Sequence, residues 1–298
     1  GSAYVKVAEG CQHNCSFCII PAIRGPLRSR AIKSVVLEVE KLVASGVVEI
    51  NLIAQDLAAY GRDLSEDQNL LSLLKSLIKI EGLKWIRMLY VYPENISDEF
   101  LEFFAREPKL VKYLDMPVQH SSDKLLAKMN RGITSDFLKG IIEKIRSKVP
   151  DIALRTSVMV GFPGETDEDF AHLCEFVKAA RFTHLGCFTY SKEEGTVAGR
   201  MTEQVEEHIK QERQAKIMGI QKAISTENMR LLQDKKVQVL ITQAPLSQDE
   251  PFVGRLSSQA PEVDGVVYVQ SDSASLGQIQ ELLITDTHEY DVSGCLLR

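Results

Sequence analysis

Three of the chain's six cysteines stand close together near its start, in Cys11-Gln-His-Asn-Cys15-Ser-Phe-Cys18. Thiolates this near in sequence can converge on one metal centre. Three thiolates leave a four-iron four-sulfur cluster one protein ligand short. A small molecule can then bind the fourth iron. The spacing therefore predicts an iron–sulfur centre with one open coordination position.

Zinc and a disulfide are the alternatives for the same cysteines. Structural zinc takes four ligands, usually as two distant pairs. His13 is a possible fourth ligand, but it lies inside the same tight loop, where four ligands would strain to form a tetrahedron. The sequence has no signal peptide and its other cysteines are sparse, as in a reducing compartment, which disfavours a disulfide. We therefore expect a cytoplasmic protein.

The length of 298 residues predicts one large domain and one small one. Hydrophobic residues make up 44% and charged residues 26% of the chain, as in ordinary globular proteins. No apolar run approaches the roughly 18 residues that span a bilayer. Gly1 and Ser2 look like the remnant of a cleaved tag, so we expect the natural protein to begin upstream.

Strand-like and helix-like segments alternate over the first 190 residues. We predict strands at 3–8, 47–54, 85–92, 113–118, 152–160 and 184–190. Helices are predicted at 34–45, 70–80, 98–106, 123–129, 135–148 and from Thr166 to 181, the first capped by Ser34. Six such units imply a parallel sheet. No G-x-G-x-x-G follows the first strand, so an α/β barrel or partial barrel is favoured, with its functional edge at the strands' carboxyl ends.

The pattern changes after a long polar helix predicted at 203–234. Five short strands, at 237–241, 251–255, 265–269, 278–285 and 290–295, predict a small closed barrel of the oligonucleotide-binding type. We divide the chain into domains at 1–234 and 235–298. The second part has four basic and nine acidic residues, so it carries −5 of the total charge of −6. Such a surface repels nucleic acid and attracts basic partners, or it only aids solubility.

A C-x3-C-x2-C loop after the first strand of such a barrel resembles the radical S-adenosylmethionine (SAM) superfamily. The resemblance implies that Cys11, Cys15 and Cys18 hold a 4Fe–4S cluster. It further implies that SAM chelates the open iron through its amino and carboxylate groups. An electron from the cluster would then cleave SAM to methionine and a 5′-deoxyadenosyl radical.

Further segments resemble the methylthiotransferases of that superfamily, and the last domain resembles their TRAM domain. These segments begin at Cys18-Ile-Ile-Pro, Asp115-Met-Pro, Met129-Asn-Arg, Gly161-Phe-Pro-Gly-Glu and Phe188-Thr-Tyr. Pro-Ala-Ile-Arg24-Gly and Pro117-Val-Gln-His-Ser-Ser-Asp resemble the RimO-type branch, which modifies an aspartate of small-subunit ribosomal protein twelve. The alternative is the MiaB-type branch, which modifies an adenosine in tRNA. The acidic tail favours the protein substrate, because tRNA binding needs basic residues. The same feature and the cysteine loop disfavour a non-catalytic nucleic-acid adaptor.

Candidate SAM or substrate contacts lie at the ends of the predicted strands. Gly161, Gly164 and Glu165 form a turn that can approach SAM, or only an ordinary strand-to-helix turn. Gln55-Asp56 and Gln119-His120 can hydrogen-bond SAM or substrate, or cap loops. Arg24, Arg28 and Arg30 can hold a carboxylate, or form a solvated loop. Tyr190 and Ser191 end strand six, whereas Cys174, Cys187 and Cys295 are expected away from the cluster.

The family carries a domain that this sequence lacks. The resemblance implies an N-terminal domain with three more cysteines and a second cluster, which supplies the sulfur. It also implies that SAM serves as methyl donor and as radical source, and we expect an external electron donor. We therefore expect this chain to reconstitute one cluster and cleave SAM without completing methylthiolation.

Overall fold

Residues 1–65, 67–247, 250–271 and 273–297 are described in a computed structural model of the chain. A parallel sheet of six strands, in the spatial order β1-β4-β5-β6-β7-β8, forms the first domain. The strands are β1 (Ser2–Lys6), β4 (Glu49–Ile53), β5 (Trp85–Met88), β6 (Leu110–Asp115), β7 (Ala153–Val160) and β8 (His184–Thr189). The sheet stays open between β1 and β8, which confirms the predicted partial barrel.

Helices cover the outer face of this sheet, where side chains such as Ile50 and Leu52 join the main apolar core. They are α2 (Ile32–Ala44), α3 (Leu70–Leu77), α4 (Asp98–Arg106), α5 (Asp123–Lys128), α6 (Ser135–Lys148) and α7 (Asp167–Ala180). The short helix α1 (Ile20–Arg24) precedes them and has no buried residue. Short 3-10 turns occupy Leu57–Ala59, Pro93–Asn95 and Ala198–Arg200, and a two-residue ribbon pairs β2 (Ala8–Glu9) with β3 (Arg28–Ser29). Among the described residues, no helix has the length and apolarity that a membrane span requires.

The predicted cap of α7 is confirmed, and the predicted cap of α2 is wrong. Thr166 accepts a hydrogen bond from the Asp169 amide, and Asp169 bonds back to Thr166, forming a capping box. Helix α2 begins before Ser34, at Ile32, because the Ala31 carbonyl already accepts the first helical bonds. The Ser34 hydroxyl instead accepts a hydrogen bond from Arg30 Nη2 at 3.1 Å.

The small domain is a closed barrel of five strands, in the order β10-β11-β13-β12-β9. Its strands are β9 (Lys236–Gln243), β10 (Phe252–Leu256), β11 (Val267–Gln270), β12 (Ile279–Thr287) and β13 (Val292–Leu296). Helix α8 (Glu207–Arg230) precedes it and packs on α7 and β8. Eight buried apolar residues of the strands and Met229 of α8 fill its core. The predicted closed barrel is therefore confirmed.

The small barrel covers the inner face of the open sheet. Asp264 accepts hydrogen bonds from the Tyr113 hydroxyl and the Ala260 amide, each at 2.8 Å. His184 Nε2 lies 2.7 Å from the Ser258 carbonyl, and burial lowers the pKa of this histidine. Leu240 and Ala260 add apolar contact with buried residues of β5, β6 and β7. The loop between β10 and β11 therefore packs against the inner face of the sheet.

A buried carboxylate joins the two domains. Glu49 accepts hydrogen bonds from Arg87 of β5, with Nη2 at 3.0 Å, and from Arg255 of β10. The side chains of Glu49 and Arg87 are fully buried, and Arg255 is 6% exposed. Arg87 also donates to the Ser257 carbonyl at 2.8 Å. Burial alone would raise the pKa of Glu49, but the two guanidinium groups lower it below its usual value.

Replacing Glu49 by Gln should lower the free energy of unfolding by about 3–5 kcal/mol, because two buried guanidinium groups lose their counter-charge. Urea unfolding at neutral pH measures this loss. Glu227→Gln is the matched control, since Glu227 pairs with Arg181 at 2.6 Å on the surface and should cost less than about 1 kcal/mol. Because the folded-state pKa of Glu49 is lowered, its stabilisation is present above the usual carboxyl pKa and is lost as pH falls. The difference in free energy of unfolding between wild type and Glu49→Gln should therefore become smaller below about pH 4. Equal losses in both variants would contradict this account.

Candidate cluster loop and substrate cavity

The cysteine loop lies between β2 and α1 at the carboxyl edge of the sheet. Backbone hydrogen bonds fold it, with Cys11 N donating to the Gly25 carbonyl and Cys18 N donating to the Cys15 carbonyl. Ser16 ties the loop to the end of α5, through its amide to the Met129 carbonyl at 3.0 Å. All three thiols are free, and burial raises the pKa of Cys11 and of Cys18.

Asp56, which follows β4, anchors the cysteine loop through His13. It is 2% exposed, and its Oδ2 lies 2.8 Å from His13 Nε2. Its Oδ1 accepts hydrogen bonds from the Ala58 amide at 3.0 Å and the Tyr92 amide at 3.4 Å. Asp56 therefore caps the adjoining 3-10 turn, which was the alternative to ligand contact, and it also orients His13 within the cysteine loop.

Tyr92 and Arg131 extend the support to Cys15. The Tyr92 ring stacks on His13 with centroids 4.0 Å apart, and its hydroxyl lies 3.5 Å from Cys15 Sγ. The Arg131 guanidinium lies 4.1 Å from the centre of the same ring and is 5% exposed. Burial raises the pKa of Tyr92, so its hydroxyl stays protonated and can donate to a thiolate. Such hydrogen bonds to cluster sulfurs tune an iron–sulfur centre.

A cavity of about 760 Å³ opens beside the cysteine loop. Cys11 and Cys18 lie on one wall, together with Gln55 from the end of β4. The small barrel contributes Pro261–Val263 to the lining. The remaining lining residues are Tyr4, Lys6, Ile20, Ile53, Ala54, Leu89, Tyr90, Tyr92, Asp115 and Arg155. The structure thus brings two of the predicted ligands and Gln55 to one open cavity.

Gln55 provides a test of whether this wall suits a bound group. Its Oε1 is buried and has no hydrogen-bond partner among the described residues. A buried amide oxygen without a partner costs free energy unless a ligand or water supplies a donor. The amino group of SAM is a donor of this kind. The wall therefore fits an amino-bearing ligand beside the cysteines.

The turn after β7 is braced by the chain itself. The Glu165 side chain is fully buried, and its Oε2 accepts hydrogen bonds from the amides of Gly161 and Phe162. A Cβ on Gly161 would meet Lys210 Cγ, and one on Gly164 would meet Lys128 Nζ. Both glycines also have positive φ angles, of 73° and 81°. These residues are packed within the fold and do not line the cavity.

The Gln119-His120 segment also lies outside the cavity lining. Gln119 has a φ of 69° and exchanges backbone hydrogen bonds with Ser157 and Met159 of β7. His120 is fully buried, and its Nδ1 accepts a hydrogen bond from the Ser122 amide at 2.9 Å. Its Nε2 lies 3.9 Å from Glu165 Oε1. Both residues link the ends of β6 and β7.

The three arginines after the cysteines are engaged with the protein surface. Arg24 pairs with Glu9 at 3.2 Å, and Arg28 donates to the Arg24 carbonyl at 3.3 Å. Arg30 pairs with Glu38 at 2.5 Å and donates to the Lys6 carbonyl at 2.8 Å. None of the three lines the cavity. In the folded chain these arginines lie at the surface, as expected from the solvated loop that was the alternative to carboxylate binding.

The remaining singled-out residues lie apart from the cysteine loop. Tyr190 is 2% exposed and packs edge-on against Phe162, whereas Ser191 is exposed. Cys174 lies in the main core, as its helical face indicated. Cys187 is also buried there, and burial raises its pKa to about 12. Cys295 belongs to β13 of the small barrel.

The arrangement of the cysteines bears on the zinc alternative. A single zinc ion needs all its ligands on one atom, whereas a four-iron cluster binds each thiolate at a separate iron. His13, the possible fourth zinc ligand, is held by Asp56 instead. The loop therefore fits a cluster better than a zinc ion.

Sequence reasoning missed several residues that shape this site. Asp115 and Arg131 stood in segments that carried the family resemblance, but no role was assigned to them. Arg155 and Tyr92 were treated only as strand residues, although Tyr92 directly precedes Pro93 at a strand end. A charged residue inside a predicted buried strand, as at Arg155, was the available signal.

Comparison with known proteins identifies both domains. The model of the radical SAM superfamily matches residues 5–177, and that of the TRAM domain matches residues 235–296. The chain is 47% identical to the ribosomal protein uS12 methylthiotransferase RimO of Geobacter sulfurreducens, over 98% of this chain and 66% of that protein. For the protein of the same name from Geotalea uraniireducens the identity is 48%, over 98% and 65%. The chain therefore spans about two thirds of the length of these relatives.

Solved structures give the same fold at low identity. The radical S-adenosylmethionine methyltransferase TsrM of Kitasatospora setae matches with a TM-score of 0.56 and 20% identity, over 67% of this chain and 38% of that one. Methylornithine synthase (PylB) matches with a TM-score of 0.50 and 16% identity, over 74% and 62%. Together with the matched family models, the open parallel sheet and the cysteine loop show that this chain belongs to the radical SAM superfamily and ends in a TRAM domain.

Proposed function

We propose that this chain is the radical-forming part of a RimO-type methylthiotransferase that modifies an aspartate of ribosomal protein uS12. The observation that carries the proposal is the cavity lined by Cys11, Cys18 and Gln55, whose buried Oε1 has no hydrogen-bond partner among the described residues. The names of the relatives support the reaction and the substrate, since two proteins 47% and 48% identical are called uS12 methylthiotransferases.

A 4Fe–4S cluster with SAM on its open iron supplies, when bound, the reductive cleavage of SAM that generates a carbon radical. Cys11, Cys15 and Cys18 would hold the cluster, and Gln55 would accept a hydrogen bond from the SAM amino group. Asp56 keeps the loop in place through His13, at 2.8 Å. The Tyr92 hydroxyl lies 3.5 Å from Cys15 Sγ and would donate to that sulfur once it holds the cluster, and Arg131 lies over the Tyr92 ring. Gly161, Gly164, Glu165, Gln119 and Arg24 shape the surrounding turns, and SAM contact by them stays a prediction.

The TRAM domain would dock the substrate protein. Its sequence carries −5 of the chain's −6 charge. A basic ribosomal protein is a complementary partner for such a surface, and complementary charge speeds association. We also propose a cytoplasmic location, an external electron donor, and a second, sulfur-supplying cluster in the part of the relatives' length that this chain does not match.

Replacing Cys18 by Ala should abolish both the iron-dependent absorbance after anaerobic reconstitution and the release of 5′-deoxyadenosine from SAM. The reason is that a cluster loses one of its three protein ligands. Cys295→Ala is the matched control, because Cys295 lies in β13 and should keep both signals. A Cys18→Ala protein that still cleaves SAM would contradict the assignment.

Replacing Asp56 by Asn should lower the iron retained per chain under chelator challenge, with an affinity loss of about 10- to 100-fold, as for other residues that orient metal ligands. The His13 contact and the acceptor for the Tyr92 amide are weakened in this variant. Iron content and the decay of absorbance measure the effect. Asp63→Asn is the control, because Asp63 is at the surface, where it accepts a hydrogen bond from the Ser29 amide at 2.8 Å. Equal iron retention in both variants would argue against an anchoring role.

Reversing exposed charge on β12 should weaken binding of ribosomal protein uS12 at low salt. Glu281→Lys combined with Asp286→Lys changes the sign at two exposed sites, and added salt should reduce the difference from wild type. Surface plasmon resonance measures the association rate. Glu143→Lys, at an exposed position of α6, should leave the association rate nearly unchanged.

These substitutions test the surface charge without disturbing the contact between the domains, whereas deletion of residues 236–298 would expose Glu49 and Arg87. Stronger binding of a tRNA anticodon stem-loop than of the protein would favour the alternative.

A further inference from the structure

Two residues that line the cavity, one from each domain, have a left-handed backbone conformation. Tyr90 follows β5 and has a φ of 60°, and Glu262 of the TRAM domain has a φ of 69°. Both line the cavity beside the cysteines. A bulky residue in the left-handed region is uncommon, and such strain concentrates at functional sites. Local contacts must therefore hold these two residues in the left-handed conformation.

Asp115 holds Tyr90 in this conformation. Its Oδ2 accepts a hydrogen bond from the Tyr90 amide at 3.1 Å, and the Tyr90 carbonyl accepts one from the Leu57 amide at 2.9 Å. Arg155 fixes Asp115 through a 2.9 Å ion pair. The ring therefore stays extended toward the cavity, with 50% of the residue exposed.

Tyr4 of β1 presents a second aromatic side chain to the same space. It is 43% exposed, and its hydroxyl lies 3.4 Å from the Pro261 carbonyl of the TRAM domain. Burial raises the pKa of Tyr4, and the negative charge of Glu262 raises it further. The carboxylate and the two aromatic residues thus form one group, called here the Tyr4–Tyr90–Glu262 subsite.

Glu262 differs from the other charged residues on the cavity wall. Lys6 pairs with Glu9, and Asp115 pairs with Arg155. In the part of the chain that the structure describes, the Glu262 carboxylate is in no ion pair and accepts no hydrogen bond. The cavity therefore contains one negative charge that its own residues leave unneutralised.

We propose that the Tyr4–Tyr90–Glu262 subsite binds a lysine or arginine side chain of the polypeptide substrate and so positions the residue to be modified. Cations bind over aromatic faces, and an exposed carboxylate adds an ion pair. A phosphate would be repelled by Glu262, so the same geometry disfavours a nucleic acid here. The inference rests on the proposed function only in taking the substrate to be a polypeptide.

The test uses two fluorescein-labelled peptides that contain one aspartate and differ at a single neighbouring position, which holds arginine or its neutral analogue citrulline. Fluorescence anisotropy gives Kd for the reconstituted chain with SAM, with the arginine placed in turn at each position near the aspartate. At the best position, wild type should bind the arginine peptide about three- to tenfold more tightly, the range expected for exposed cation–π and ion-pair contacts. Equal binding of the two peptides at every position, or no binding of either, overturns the proposal.

Variants separate the subsite from general charge. Glu262→Gln should remove most of the preference for arginine, and Glu262→Lys should reverse it in favour of citrulline. Tyr90→Asn should remove part of it, because Asn tolerates the left-handed backbone without the ring. Glu289→Gln, whose carboxylate pairs with Lys222 at 2.7 Å outside the cavity, should retain the preference. A Glu262→Gln protein that keeps the preference, or an equal loss in Glu289→Gln, overturns the proposal.

The two proposals fail in different ways. If wild type distinguishes the peptides through Glu262 but does not bind ribosomal protein uS12, the subsite stands and the proposed substrate is wrong. If it binds that protein and Glu262→Lys binds it equally well, the substrate stands and the subsite is wrong.

Discussion

Glu49 between Arg87 and Arg255 is the interaction on which the architecture depends. An open six-stranded sheet leaves its inner face uncovered, and here that face carries fully buried charged residues. Arg255 and the Ser257 carbonyl, both from the TRAM domain, complete their hydrogen bonding. Burying the Glu49 carboxylate without the two guanidinium groups, or the reverse, would lower the free energy of unfolding. The TRAM domain is therefore a structural part of the barrel as well as an appendage.

This closure also determines the shape of the cavity. Because the loop after β10 packs against the inner face of the sheet, Pro261–Val263 line the same cavity as Cys11 and Cys18. Asp264 of the same loop is bound by Tyr113 at 2.8 Å and lies 3.5 Å from Arg155. A substrate in the cavity would contact both domains. The cysteine loop and the TRAM domain thus line the same cavity.

The sequence predicted those features that depend on local patterns. Thr166 and Asp169 lie within one turn, so the cap of α7 was readable, and Cys11, Cys15 and Cys18 were found from spacing alone. Ser34 was misread as a cap because serine is a common capping residue, whereas the helix begins earlier, at Ile32. Local propensity cannot decide between neighbouring starts of a helix.

Other features depend on contacts between distant parts of the chain. Asp56 lies 43 positions from His13, and Arg255 lies 206 from Glu49. No local pattern reports such pairs, although a glutamate inside an apolar strand was a sign of a buried partner. Glu165 was expected at the ligand edge, but its carboxylate braces its own turn. The residue types after a strand indicate which residues lie at the edge of the sheet. They do not show in which direction each side chain points.

We propose that the three cysteines hold a cluster whose open iron binds SAM in this cavity. Electron paramagnetic resonance of the anaerobically reconstituted and reduced chain, recorded before and after addition of SAM, would observe this binding at the iron itself. We expect a four-iron cluster signal whose g values change when SAM is added, and smaller changes when Gln55 is replaced by Ala. A reduced cluster signal that SAM leaves unchanged would show that SAM does not bind the open iron.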